Sequence, residues 1–202
     1  MVFTHTPRYE IAVWSIFSYF SIWYDVAYIS LRPHTLPGGK WHGPVFKPMV
    51  RWAAINNLYG EQAWNDNDTV LAAKANIGCF EANLHLIYLC QLVRAGGLSW
   101  TMGTSRISGR LTAQTVLFSL LAMAIQATKL SFYIAAQLTS ERFREHTSSL
   151  PVWIWIHYSI LFVSACAVVA FLNEISVGLT NNEAAQPPQA SIAEKLPTQY
   201  LE

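Results

Sequence analysis

Apolar residues run along this chain in four blocks, at roughly residues 11–31, 70–93, 112–138 and 152–172. Between them lie stretches rich in polar residues, proline and glycine. Each block is long enough to cross a hydrocarbon core about 30 Å thick at about 1.5 Å per residue of helix. Two stretches, 116–125 and 158–172, are apolar nearly all round, as lipid contact requires, whereas a soluble helix shows a polar face every other turn. Boundary residues agree: Arg32 and Pro33 close the first block, Arg94 with Gly96 and Gly97 closes the second, and Pro151 opens the fourth. The expected fold is therefore an all-α integral membrane protein. It is a four-transmembrane-helix bundle occupying residues 1–174 as one domain, with both termini on the same side.

The connection between the first two blocks, 32–69, is too long and too rich in turn formers to be a plain link. Pro33, Pro37, Gly38, Gly39, Pro44 and Pro48 alternate there with Trp41, Phe46, Trp52, Tyr59 and Trp64. Ordered loops of this length are often lids or binding loops, so it is expected to fold back on the bundle, either capping a pocket or anchoring among headgroups. The tail, 175–202, with Pro187, Pro188 and Pro197, is expected to be disordered.

Composition supports the membrane reading: 52% of residues are hydrophobic and only 12% charged, against about 25% charged in soluble globular chains. The net charge is +1 and the basic residues are scattered singly, so no nucleic-acid partner is expected. Flanking charges do not set an orientation, since five basic residues fall on one side and six on the other. The first block lacks a following cleavage site and is expected to be retained. Cys79, Cys90 and Cys166 lie in apolar blocks without metal-ligand spacing and read as small packing residues.

Polar groups inside the blocks carry the candidate chemistry. An ionised Asp near the centre of a spanning helix costs about 2.5–3.5 kcal/mol, so such acids face a bundle interior, find a partner or do chemistry. Asp25 and Glu81 are two of them. Helical spacing puts Ser18, Ser21, Asp25 and Tyr28 on one face of the first block, and Lys74, Glu81 and His85 on one face of the second. Gln126, Lys129 and Tyr133 share a face of the third, and His157 lies one turn beyond Trp153 in the fourth. Facing stripes imply a common cavity, because hydrocarbon cannot satisfy such groups. Two carboxylates with imidazoles, a lysine and a tyrosine suit proton transfer, one acid donating and the other accepting. Alternatively, Lys129 braces the helices by pairing with Glu81 or Asp25, and His157 packs near an interface.

Several short motifs occur in order: Trp23-Tyr24-Asp25-Val26-Ala27-Tyr28, Arg32-Pro33-His34 with Pro37-Gly38-Gly39-Lys40-Trp41, Tyr59-Gly60-Glu61-Gln62-Ala63-Trp64, and Ala72-Ala73-Lys74 followed by Glu81. Over residues 14–93 the chain resembles the emopamil-binding-protein-like, or EXPERA, superfamily, most closely its fungal members from natural-product gene clusters. The resemblance implies a bundle in the endoplasmic reticulum whose cavity takes sterols and other hydrophobic molecules, with Asp25 and Glu81 at the positions of the two family acids. The chain departs from the family's sterol isomerases at Ser21, where they carry a histidine. In the last helix, Pro151-Val152-Trp153-Ile154-Trp155 keeps their tryptophan and lacks their asparagine.

The expected function is thus a membrane-embedded biosynthetic enzyme acting on a terpenoid, polyketide or sterol-like molecule by double-bond isomerisation, cyclisation or epoxide opening. Asp25 and Glu81 are the expected acid–base pair. His85, Lys74, Lys129, Tyr28, Gln126, Tyr133 and Trp155 are expected to bind substrate or tune the pair. No cofactor or metal is expected, since the chain has neither a glycine-rich phosphate cradle nor metal-ligand spacing. The expected partners are the substrate and the bilayer, and a homodimer is compatible with them. The alternative is a non-catalytic sterol- or amine-binding membrane protein, in which an acid holds a cationic amine. A transporter is the third class, although no internal repeat offers a basis for alternating access.

Overall fold

The computed structural model describes residues 4–96, 106–139 and 150–184. In chain order these form β1 (Thr4–His5), α1 (Tyr9–Ser30), α2 (Met49–Ile55), α3 (Glu61–Asn65), α4 (Val70–Arg94), β2 (Ile107–Ser108), α5 (Arg110–Thr139) and α6 (Leu150–Ala184). The chain is mostly helical, and α4 packs between α1 and α5 while α6 packs on α5. β1 and β2 form a short antiparallel ribbon at one end, with Thr4 opposite Ser108 and His5 opposite Ile107.

Two helices, over Arg110–Thr139 and Pro151–Asn181, are long and apolar enough by themselves to cross a membrane. The other long helices, α1 and α4, have 22 and 25 residues, or roughly 33 and 38 Å of rise. They are shorter than those two, which run 30 and 31 residues, and they carry Asp25, Lys74 and Glu81 within their span. All four turn large apolar side chains outward, among them Phe20, Phe80, Phe132 and Phe162. Their inward faces hold Ser15, Ser18, Glu81, His85, Gln126 and His157, all buried.

α6 runs well past its expected end near residue 172, and positions 175–184, expected to belong to a disordered tail, are its last turns. Ile175, one turn beyond Phe171, continues its apolar spacing and packs against the core. Residues 185–202 of that expected tail lie outside the described residues. Cys90 and Cys166 face outward rather than packing inside, and Cys79 is half-buried.

Segment 32–69 folds back on the bundle as expected. Phe46, Met49, Leu58, Tyr59 and Ala63 join the core formed by α1, α4, α5 and α6. Its first turn is tight: a Cβ on Gly39 would lie 2.3 Å from the His34 carbonyl oxygen, so only glycine fits. Thr35 Oγ1 donates to the Tyr28 carbonyl at 2.7 Å, tying the turn to the last turns of α1. On α4, Gly78 lets α1 approach closely, with Ile22 and Val26 side chains 3.2 and 3.4 Å from where its Cβ would be.

Candidate functional site

A cavity of about 410 Å³ lies between α1, α5 and α6 beneath the returning loop. Its wall is largely aromatic and aliphatic, including Phe17, Ile22, Trp52 and Ile160, and Asp25 is the one carboxylate among its lining residues. Each Asp25 oxygen has its own donor. The Tyr59 hydroxyl donates to Oδ1 and the Lys74 ammonium to Oδ2 at 2.9 Å, while Lys74 also donates to the Tyr59 hydroxyl oxygen. Lys74 lies 5.1 Å above the Tyr59 ring centroid and 4.9 Å above that of Tyr133, so two aromatic faces help to hold the cation.

Tyr59 belongs to the loop and is pinned from several directions. Its carbonyl accepts from the Tyr28 hydroxyl at 2.8 Å and from Arg32 at 3.0 Å. Its ring stacks on Tyr28 and meets Trp52 edge-on. Burial, and next the negative charge of Asp25, raise the Tyr59 phenol well above its usual value, so it stays protonated and remains a donor.

Glu81 sits elsewhere. It is fully buried, the Lys129 ammonium makes an ion contact with its Oε2, and His85 Nε2 lies 4.0 Å from Oε1, beyond hydrogen-bonding distance. Glu81 is not among the lining residues of the cavity at Asp25 or of a second one, about 480 Å³, between α4 and α5. Lys74 and Lys129 line both. The expected stripes therefore converge as two ion pairs, Asp25–Lys74 and Glu81–Lys129, of which Asp25 meets the cavity directly and Glu81 meets it through Lys129.

The other expected residues separate by task. Gln126 is a strut: its Oε1 accepts from Trp14 and Ser164 at 3.0 and 2.7 Å, and its Nε2 donates to Ser18 at 3.2 Å, joining three helices. Tyr133 spends its hydroxyl on Asn56 at 2.8 Å, and Tyr28 spends its own on the loop. His85 is fully buried and off both cavity walls.

Trp155, expected at the substrate, is 76% exposed, whereas Trp153 is fully buried. Residues two apart on a helix point about 200° apart, and it is Trp153 that faces inward. His157, one turn on, stacks on Trp153 at 4.2 Å and on Tyr133 at 5.5 Å, and lines the Asp25 cavity. Its Nδ1 lies 2.8 Å from the Trp153 carbonyl oxygen. That oxygen can only accept, so Nδ1 carries a proton and a neutral ring has Nε2 as its acceptor.

Tyr59 joins the candidate site although no helical spacing singles it out, because it lies in the connecting segment. The signal was there in part, as one of several aromatics in a loop expected to cap a pocket. Among the described residues no group of three or more His, Cys, Asp or Glu side chains is placed to hold a metal ion. No protein-family model, curated protein or solved structure matches the chain.

Proposed function

We propose that this chain is a four-span membrane enzyme that moves protons on a hydrophobic small molecule bound at Asp25, Tyr59 and Lys74. The observation that carries the reading is a carboxylate with both oxygens engaged, set in the wall of an otherwise largely apolar cavity. Four spans are supported by the outward apolar faces of α1 and α4, which match those of α5 and α6 and enclose the charged pairs. An endoplasmic-reticulum member of the EXPERA-like superfamily, serving secondary metabolism, is the identity this reading favours.

In such a site a substrate proton passes to Asp25 while Tyr59, backed by the Lys74 ammonium, delivers one to another carbon or to an epoxide oxygen. Passage of the proton from Asp25 to Tyr59 across their hydrogen bond then restores the triad, so the net change is an isomerisation or a cyclisation. In hydrolysis the proton passed to Asp25 comes from a water whose oxygen bonds to the epoxide carbon as its C–O bond breaks. Glu81 acts at one remove, by holding Lys129 at the cavity wall. The amine-binding alternative is less well served, because Lys74 already neutralises Asp25.

The test compares lipid-soluble metabolites of host membranes with and without the protein, seeking a product that differs from its precursor by zero mass or by one water. Asp25→Asn and Tyr59→Phe should abolish that product while Trp155→Ala retains it. A product that persists in Asp25→Asn refutes the catalytic reading, and loss of amine affinity in the same variant would favour the binding protein.

A further inference from the structure

At the end of the bundle bearing the β ribbon lies a polar cavity of about 650 Å³, bounded by β1, the start of α1, the residue before β2 and the last turns of α6. Arg8 and Arg106 enter its wall from separate segments. Both are exposed, and among the described residues neither has an ion-pair partner. The acid on the same wall, Glu174, is already engaged, its Oε1 lying 2.6 Å from Nδ1 of the buried His5.

The polar cavity continues into an apolar one. Arg8, Cys166 and Ala170 also line a cavity of about 290 Å³ between α1 and α6, whose wall includes Ile11, Trp14, Phe162 and Val163. Glu10 borders it from the exposed first turn of α1, where water screens its charge. Two unpaired guanidiniums at the mouth of an apolar crevice complement an amphipathic anion with its charge at one end. Guanidinium forks match phosphate oxygens, and the helix ends are where headgroups lie.

We propose that this crevice binds one anionic phospholipid, its phosphate between Arg8 and Arg106 and an acyl chain between α1 and α6 against Ile11, Trp14, Phe162 and Val163. The site is separate from the Asp25 triad and shares with that cavity only Trp14. It requires that α1 and α6 face lipid.

The test uses the full chain in detergent micelles containing phosphatidylglycerol with brominated acyl chains, or phosphatidylcholine with the same chains, and reads quenching of tryptophan fluorescence. Each basic residue beside an anionic lipid is worth about fivefold in affinity, so phosphatidylglycerol should bind about 25-fold more tightly. Arg8→Gln/Arg106→Gln should erase that preference while leaving phosphatidylcholine quenching and the unfolding midpoint unchanged. Arg8→Lys/Arg106→Lys should keep most of it, and Val163→Phe, which fills the groove, should weaken phosphatidylglycerol binding with both arginines present. Equal affinity for the two lipids, or a preference that survives in the Gln variant, overturns the proposal. Displacement of the lipid by millimolar inorganic phosphate overturns it too, since that marks a site for the free anion. Quenching by neither lipid removes the membrane reading along with it.

Discussion

Replacing Lys129 with methionine removes the cation from Glu81 and keeps a side chain of similar length. The Glu81 side chain is fully buried and that of Lys129 is 10% exposed, so water compensates the remaining acid poorly. At an effective dielectric of about 20, unit charges about 3 Å apart attract by about 5 kcal/mol, and desolvating both ions offsets much of that. Breaking such a pair costs about 3–5 kcal/mol, because it leaves a buried charge alone. Glu81→Met should cost less, since Lys129 lines two cavities and its ammonium can turn towards them. The double variant Glu81→Met/Lys129→Met should recover most of the loss, as apolar replacement of a buried pair is often close to neutral. Equilibrium unfolding by SDS in mixed micelles, followed by far-UV circular dichroism, gives the four stabilities. A Lys129→Met cost below about 1 kcal/mol, or a double variant as unstable as the sum of the singles, would show that the interior holds no such ion pair.

Gly78→Ala should destabilise by about 1 kcal/mol and Gly78→Leu by about 3, since Ile22 and Val26 leave little room between α1 and α4; the same unfolding assay reads both. Trp153→Ala should cost about 3–5 kcal/mol and Trp155→Ala less than about 0.5, reversing the order expected if Trp155 were the inner residue. Tyr59→Phe should lower product formation about 100-fold or more while retaining the ring contacts with Tyr28 and Trp52. Burial and Asp25 both favour the protonated phenol, so Tyr59 should not ionise near pH 10, where free tyrosine titrates. Ultraviolet difference titration of wild type and Tyr59→Phe should then count the same number of phenols through that range, and one fewer in the variant would refute the assignment.

Much of the helical framework was legible in the pattern of apolar positions. Long blocks with proline, glycine and arginine at their ends specify helices locally, and the observed boundaries of α1, α4 and α5 fall within about two residues of the expected ones. The inward stripes were legible for the same reason: positions seven and eleven apart share a helix face whatever surrounds them. The end of α6 was not, because Asn173 and Glu174 read as a polar boundary, whereas Glu174 meets His5 and Ile175 packs against the core.

What only the tertiary structure decided was which polar groups meet. Spacing leaves the rotation of each helix about its axis and the choice of neighbour open, so Lys129 was equally able to pair with Asp25 or Glu81. Packing α4 between α1 and α5 gave Lys74 to Asp25 and Lys129 to Glu81. Tyr59 reaches Asp25 across 34 residues because the loop folds back and its backbone is held by Tyr28 and Arg32, a contact that no local period encodes. The sequence by itself determined that acids lie within apolar helices and must be compensated. The fold decided that Asp25 faces the cavity while Glu81 stays behind Lys129, because burial and partner depend on neighbours brought together from distant parts of the chain.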